Sequence, residues 1–286
     1  MKKVLVLGSE GALGRVLVKT LNNIPDYEVH LASRNPRDAM THKIDIQDKG
    51  KLDQLIKELA PTLIFNLAAS FSSNLNEALS VNVISVASLL EIVKEKAPRC
   101  RVMLMGSAAE YGAVLPGENP IAENHAINPV SVYGLSKSLQ LEVAKFFIRQ
   151  GLDIIVCRIF NLEGENISPH LFVGRLQKEI QEVLNQNKSY IELGSLDAIR
   201  DYIDLEKASQ QLAIIAQIGK CGEIYNVASG IPVAMRQLLE KYLAKYNLSL
   251  SVVKSDHGLG NHRGYDVPVL YADITKTKKL IYGTLN

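Results

Sequence analysis

Short apolar runs alternate with longer amphipathic stretches through the first 161 residues, and this rhythm constrains the fold more than any other feature. KKVLVLG reads as a buried strand, 12–21 as a helix, VHLAS (29–33) as a second strand and 44–46 as a short third one. KLDQLIKELA (51–60) carries leucine and isoleucine at helical spacing and stops at Pro61, after which LIFNLAA (63–69) is a strand again. A long helix over 80–96, a strand at 101–107, a helix over 133–150 ended by Gly151 and a strand at 153–161 complete the series. Strands that are apolar throughout need cover on both faces, and helices between them supply the crossovers that parallel pairing requires. The expected class is α/β, a doubly wound parallel sheet flanked by helices.

After Asn161 the rhythm changes. Residues 162–170 read as loop, 171–187 as helix, 190–193 as a short strand, 225–229 as a strand, and the stretch beyond Pro232 as a helix to about Tyr246. Residues 255–268 read as loop. The expected division is a sheet domain over 1–161, joined again by part of 190–225, and a smaller C-terminal lobe over 162–286.

Composition removes several classes. Thirty-two basic and 30 acidic side chains leave a net charge of +2, which is no footprint for nucleic acid or an anionic membrane. No apolar run reads as a bilayer span, and the apolar start of MKKVLVLG ends at Leu7, too early for a signal peptide. Cys100, Cys157 and Cys221 are odd in number and far apart, so buried free thiols and a cytoplasmic location are expected. The six histidines form no HxxxH or HxxH pair, so no metal site is expected, and His257 and His262 read as polar loop residues.

Gly8-Ser9-Glu10-Gly11-Ala12-Leu13-Gly14 falls between the first strand and the first helix. Glycines there permit a tight turn and a close backbone approach, and the helix N-terminus aims free amides at a pyrophosphate. The second strand ends on Ser33-Arg34-Asn35, with no carboxylate before Asp38. A carboxylate at that place would hold the ribose hydroxyls of NAD, whereas an arginine offers a planar fork to a 2′-phosphate. The residues therefore favour NADP(H), with NAD(H) as the alternative. Asp45, closing the third strand, offers an acceptor for an adenine amino group or a turn cap. Tyr133 and Lys137, four residues apart, share one helix face. A free phenol titrates near pH ~10, and a neighbouring ammonium is expected to draw it toward the working range. Ser107 ends one strand, and Asn66, Ala68 and Ala69 lie at the end of another, where open α/β sheets bind ligands.

GSEGALG, NLAA, GSAAEYG, YGLSK and RIFN, in this order, resemble the extended short-chain dehydrogenase/reductases that act on nucleotide sugars, the NAD-dependent epimerase/dehydratase family. NPVSVYGLSKSLQ, LGSLDAIRDYIDL (193–205), GEIYNVASG (222–230) and DVPVLYAD (266–273) are similar to its GDP-4-keto-6-deoxy-D-mannose reductases, and the likeness covers about residues 3–282. The resemblance implies a Rossmann-like sheet and a smaller C-terminal substrate lobe. It implies cofactor contacts from Gly8, Glu10, Gly11, Ala12, Leu13, Gly14, Ser33, Arg34, Asp45, Ile46, Leu67, Ala68, Ala69, Asn82, Tyr133, Lys137 and Ile159. Ser107, Tyr133 and Lys137 match the family's catalytic triad, and Ser107, Asn161, Arg200 and Arg263 match substrate-holding positions. It further implies a homodimer through the 80–96 and 133–150 helices, where Ser85, Ala87, Ser88, Leu89 and Leu90 suit close packing between subunits or burial within one chain equally. One departure is Glu163-Gly164-Glu165-Asn166-Ile167 in place of a GPGQ-like run, since carboxylates beside a diphosphate are unfavourable unless they point away.

The same fold reduces, epimerises or dehydrates nucleotide sugars. A 4,6-dehydratase needs an added acid and base after the serine, where this chain has Ala108 and Ala109. Glu110 follows, but one step along a strand-like segment would turn it to the other face. A 3,5-epimerising reductase needs a second proton-transfer pair, often with cysteine at the place of Ala109. The expectation is an NADPH-dependent reductase of a 4-keto-6-deoxy nucleotide sugar with Tyr133 as proton donor. A 4-epimerase with bound NAD and a non-catalytic dinucleotide sensor are the alternatives.

Overall fold

A computed structural model describes residues 1–255 and 267–283. Its elements run β1 (Lys2–Leu7), α1 (Ala12–Asn22), β2 (Tyr27–Ser33), β3 (His42–Lys43), α2 (Lys49–Leu59), β4 (Leu63–Asn66), α3 (Leu75–Leu79), α4 (Ser85–Lys96), β5 (Arg101–Ser107) and α5 (Val132–Arg149). They continue as β6 (Asp153–Ile159), β7 (Asn161–Glu163), α6 (Phe172–Leu184), β8 (Ile191–Leu193), β9 (Ile199–Asp204), α7 (Leu205–Ile218) and β10 (Ile224–Val227). The last are β11 (Pro232–Ala234), α8 (Met235–Lys245), β12 (Val253–Ser255), β13 (Val269–Leu270) and α9 (Thr275–Tyr282).

Among the described residues the central sheet has seven strands in the order β10-β6-β5-β4-β1-β2-β3, all paired in parallel. The chain winds outward from β1 through β2 to β3, then returns to β1's other side at β4. That reversal leaves a crevice at the carboxyl ends of β1 and β4, where open sheets of this kind hold ligands. Along β1 the side chains alternate between two cores. Val4 and Val6 join Leu17 of α1 and Leu212 of α7 on one face, while Leu5 and Leu7 join Leu52 of α2, Leu89 of α4 and Leu141 of α5 on the other. Burial on both faces is why these strands read as unbroken apolar runs.

The remaining strands build the lobe. β11, β9 and β13 form a small sheet with β7 beside β9, and β8 pairs with β12. Strand β10 leaves the lobe to pair with β6 at the edge of the central sheet. Asp201, fully buried on β9, ties the lobe together. Its carboxylate accepts the Ser229 N–H at 2.8 Å, the Ser229 hydroxyl at 2.6 Å, the Gly230 N–H at 2.8 Å and the Ala272 N–H at 3.3 Å.

Several expectations need correction. The third strand is His42–Lys43 rather than 44–46, because Asp45 turns the chain away by accepting the Gln47 N–H at 3.0 Å. The 80–96 helix begins earlier: Leu75–Lys96 is continuous through a π-turn at Ser80–Ile84, and its 22 residues are apolar and long enough to cross a membrane. Here it is a core helix, with Val86, Leu89, Leu90 and Val93 buried against the sheet. Of the residues open to either a subunit contact or burial within the chain, Ser85, Leu89 and Leu90 are buried within it. The large apolar residues exposed on this helix and α5 are Leu75, Ile84, Leu135, Leu139 and Phe146. Cys100 and Cys157 are buried, but Cys221 is exposed. Strand β9 and helix α7 escaped the periodicity reading, although Asp204 supplies a helix-start signal by accepting the N–H groups of Glu206 and Lys207.

Candidate active site

Gly8 takes φ +80°, and a methyl there would meet the Ala68 nitrogen at 2.9 Å, so the first loop lies flat against the end of β4. Helix α1 then starts at Gly11 with no side-chain cap and no acid in its first turn. Its amides stay available for an anion, as a dinucleotide pyrophosphate needs. Beside the loop lies a groove of about 570 Å³, lined by Gly8, Ser33, Arg34, Asp45, Ile46, Ala68 and Ala69 but by none of residues 10–14. Leu67 lies beside Gly8 in the same wall. The loop and groove thus fit a dinucleotide.

Beyond the end of β2, Asp38 is committed to its own turn, accepting the Met40 and Thr41 N–H groups and the Thr41 hydroxyl at 3.0 Å each. Glu10 faces Arg37, with Oε2 3.4 Å from the guanidinium Nε. The groove also takes residues that sequence reading missed: Ser70, Phe71, Ser72 and Glu77 after β4, and Ser168 and His170 from the lobe. Residues after a strand end were open to inference, but those from the lobe have no local signal.

Three side chains meet where β5 ends and α5 begins. Ser107 caps a short 3-10 turn over Ala108–Glu110, its Oγ accepting the Ala109 N–H at 3.2 Å. Helix α5 is capped by Ser131, which accepts the Gly134 N–H at 3.0 Å, and Tyr133 stands in its first turn. A methyl at Gly134 would lie 2.3 Å from the Ala109 carbonyl oxygen, so glycine lets α5 close onto the Ser107 turn. That closure brings Tyr133 to Ser107, near enough for the serine to act on the phenol. The Tyr133 ring lies 4.8 Å from that of Phe71, so the cluster borders the cofactor groove.

Lys137, one turn along, is buried and donates to the Met105 carbonyl at 2.8 Å and Gln140 Oε1 at 2.9 Å. Burial draws its ammonium down to about 8, an effect opposed by Glu110. The expectation that Lys137 lowers the Tyr133 phenol is corrected. Its nitrogen turns to those two acceptors, 5.9 Å from the ring centroid, and burial pushes the phenol above its ordinary value, with Ser107 opposing. Tyr133 is therefore a neutral phenol at working pH.

Asn82 does not face the groove. Its Oδ1 accepts the Ser70 N–H at 2.8 Å, and its Nδ2 donates to the Ser70 carbonyl and Ser136 Oγ, both at 2.9 Å. It braces the β4 loop against α5 from inside the π-turn, the kind of helix irregularity often found at functional sites. Asn161 donates to the Asp201 carbonyl at 3.0 Å, and Arg200 donates to the Ile199 carbonyl at 2.9 Å on the adjacent strand. Ile159 ends β6 next to the Ser107 end of β5. Arg263, His257 and His262 lie outside the described residues. Glu163 binds Lys241 at 2.9 Å and Glu165 reaches Lys245 at 3.9 Å, so both carboxylates turn onto α8. Among the described residues no three His, Cys, Asp or Glu gather as a metal site.

The NAD dependent epimerase/dehydratase family matches residues 4–228. The chain belongs to that family. Family members are NAD(P)-dependent oxidoreductases and epimerases acting on nucleotide sugars, and a nicotinamide dinucleotide is the cofactor class. Among relatives, the UDP-glucose 4-epimerase of Mycoplasma pneumoniae is 24% identical over 98% of this chain and 90% of its own. The GDP-6-deoxy-D-mannose reductase of Pseudomonas aeruginosa is 25% identical over 74% and 72%. The structure of RMD from Pseudomonas aeruginosa, complexed with NADPH, superposes with a TM-score of 0.83 at 20% identity, covering 98% of this chain and 91% of that one. The family enzyme described here thus shares the fold of proteins with more than one reaction.

Proposed function

We propose that the protein is an NADPH-dependent reductase of a 4-keto-6-deoxy nucleotide sugar. The observation that carries this reading is the ribose end of the groove, where Ser33 and Arg34 form the wall and Asp38 is consumed by its own turn. A 2′-phosphate finds a guanidinium there, and ribose hydroxyls find no free carboxylate at the end of β2. When bound, the reduced nicotinamide supplies hydride to C4 of the sugar. Tyr133 gives its phenol proton to the developing alkoxide, and the Ser107 hydroxyl hydrogen-bonds the same oxygen. Lys137 holds a buried positive charge behind the tyrosine, and solvent returns the proton to the phenolate. The neutral phenol suits a proton donor, as reduction requires. Ala108 and Ala109 move no protons and Glu110 is sealed away with Arg158, which argues against dehydration.

Consumption of NADPH absorbance with GDP-4-keto-6-deoxy-D-mannose is the expected result, and no oxidation with this or any other 4-keto nucleotide sugar would overturn the proposal. A second reading, a 4-epimerase, is favoured by the epimerase relative that spans nearly the whole chain. It requires interconversion of UDP-sugars by NAD-loaded protein without added reductant. Arg34→Ala is expected to weaken NADPH binding about tenfold while changing NADH binding less than about twofold. Fluorescence titration of each cofactor checks this, and equal losses for both would remove Arg34 from the 2′-phosphate.

The same reading includes a homodimer through α5 and the Leu75–Lys96 helix. Ile84 and Phe146 are 62% and 51% exposed, an apolar surface a partner helix pair would cover. The double substitution Ile84→Glu, Phe146→Glu is expected to give a monomer by sedimentation, and an unchanged mass would exclude this face.

A further inference from the structure

Behind the Ser107–Tyr133–Lys137 cluster lies an enclosed set of charged groups that the proposed proton transfer leaves unused. The 3-10 turn folds the Glu110 side chain back beneath β5, where it has no solvent exposure. This corrects the strand-like placement expected from sequence. One carboxylate oxygen accepts the Ser107 main-chain N–H at 2.7 Å, and the other accepts the Arg158 Nε–H at 2.8 Å. Room for this return is made at Gly106, where a methyl would sit 2.6 Å from Glu110 Oε1. Arg158 is buried as well. It donates to the Glu123 carbonyl at 3.0 Å and lies over the Tyr111 ring at 4.6 Å. Tyr111 in turn donates to Asn226 Oδ1 at 2.7 Å, joining the turn to β10.

A fully buried ion pair is an inefficient way to stabilise a fold, because desolvation offsets its attraction and apolar residues of equal volume serve as well. Its position gives it another use. Glu110 holds the Ser107 main chain, Lys137 binds the Met105 carbonyl two residues back on the same strand, and the carboxylate acts electrostatically on both Tyr133 and Lys137. The other charged or titratable groups around it are Arg158 from β6, Tyr111 beside it in the chain and, beyond Arg158, Glu123. Burial lifts the Glu110 carboxyl above its ordinary range. The guanidinium 2.8 Å away, protonated at any working pH, keeps it ionised.

We infer that Glu110 is a positioning residue, which fixes Ser107 at the point of proton transfer and supplies the buried negative charge that acts on Lys137, with Arg158 anchoring it to β6. The inference rests on Ser107, Tyr133 and Lys137 being the reacting cluster.

The sign of the effect follows from the two influences on Lys137. Burial disfavours its ammonium and Glu110 favours it, so a neutral residue at 110 lets the lysine lose its proton at lower pH. Activity that needs the cation then fails at lower pH. Glu110→Asp keeps the charge but, one methylene shorter, loosens the Ser107 bond. The experiment measures kcat and KM against pH for the full chain and for E110Q and E110D, with NADPH and a 4-keto-6-deoxy nucleotide sugar. Beside it runs a titration of the Lys137 15Nζ signal by NMR, assigned by its loss in K137R.

In E110Q, kcat is expected to fall about tenfold or more with KM within about twofold. The midpoints of the alkaline limb and of the NMR titration should both move about one pH unit lower. In E110D the midpoints return while kcat stays reduced. A merely structural glutamate would alter yield or melting and leave both midpoints in place, and coincident NMR titrations of E110Q and the unaltered protein overturn the inference. If the unaltered protein turns over no substrate, the reductase reading fails, and the NMR titration still decides the role of Glu110. Should E110Q not fold, the E110Q/R158M double variant, which removes the pair together, carries the same titration.

Discussion

Replacing Tyr133 by phenylalanine is expected to lower kcat by about 10³-fold while cofactor affinity stays within about twofold. The ring that packs 4.8 Å from Phe71 remains, so the wall of the groove is preserved and the hydroxyl alone is lost. That hydroxyl lies by Ser107 and is held protonated by burial, which suits it as the donor for an alkoxide formed in the crevice. Without it the ketone can accept hydride only if water or Ser107 delivers the proton, and neither is tuned for the task. Steady-state turnover with the 4-keto sugar, paired with a cofactor titration, separates loss of chemistry from loss of binding. Unchanged turnover would exclude Tyr133 as the acid. An unaltered protein that bound cofactor but reduced nothing would instead revive the sensor alternative.

The largest effect on stability is expected at Asp201, not in either apolar core. Asp201→Ala leaves the Ser229 and Gly230 N–H groups, the Ser229 hydroxyl and the Ala272 N–H without their acceptor in a site of no solvent exposure. Stranded donors cost more than the net worth of the bonds that served them, and charged acceptors raise that cost. The variant should lose about 3–4 kcal/mol, or roughly 10 °C in Tm for a chain of this size. Because β9 also carries Arg200 and takes Asn161 on its Asp201 carbonyl, substrate affinity should fall even where the protein stays folded. A melting curve within about 2 °C of the unaltered protein would show that water replaces the carboxylate.

Much of the sheet was legible because its strands are buried on both faces and its helices on one. Such burial prints a continuous apolar run for the former and a 3.6-residue period for the latter. The phosphate loop was legible for a similar reason, since only glycine tolerates the backbone at Gly8 and the approach of β4. The short lobe strands were less so: β7, β11 and β13 have three residues or fewer, too few to show alternation. Ser107, Tyr133 and Lys137 could be named from spacing and resemblance, but what each side chain touches could not.

The sequence by itself therefore determined the α/β class, the dinucleotide loop and the family, because each depends on short-range patterns of burial and backbone freedom. Tertiary structure decided the electrostatics. It turned Lys137 to Met105 and Gln140, folded Glu110 under β5 onto Arg158, sent Glu163 to Lys241 and brought His170 of the lobe to the cofactor groove. Charge interactions act through space and through burial, and residues 48 or 78 positions apart meet only once the sheet and lobe are assembled.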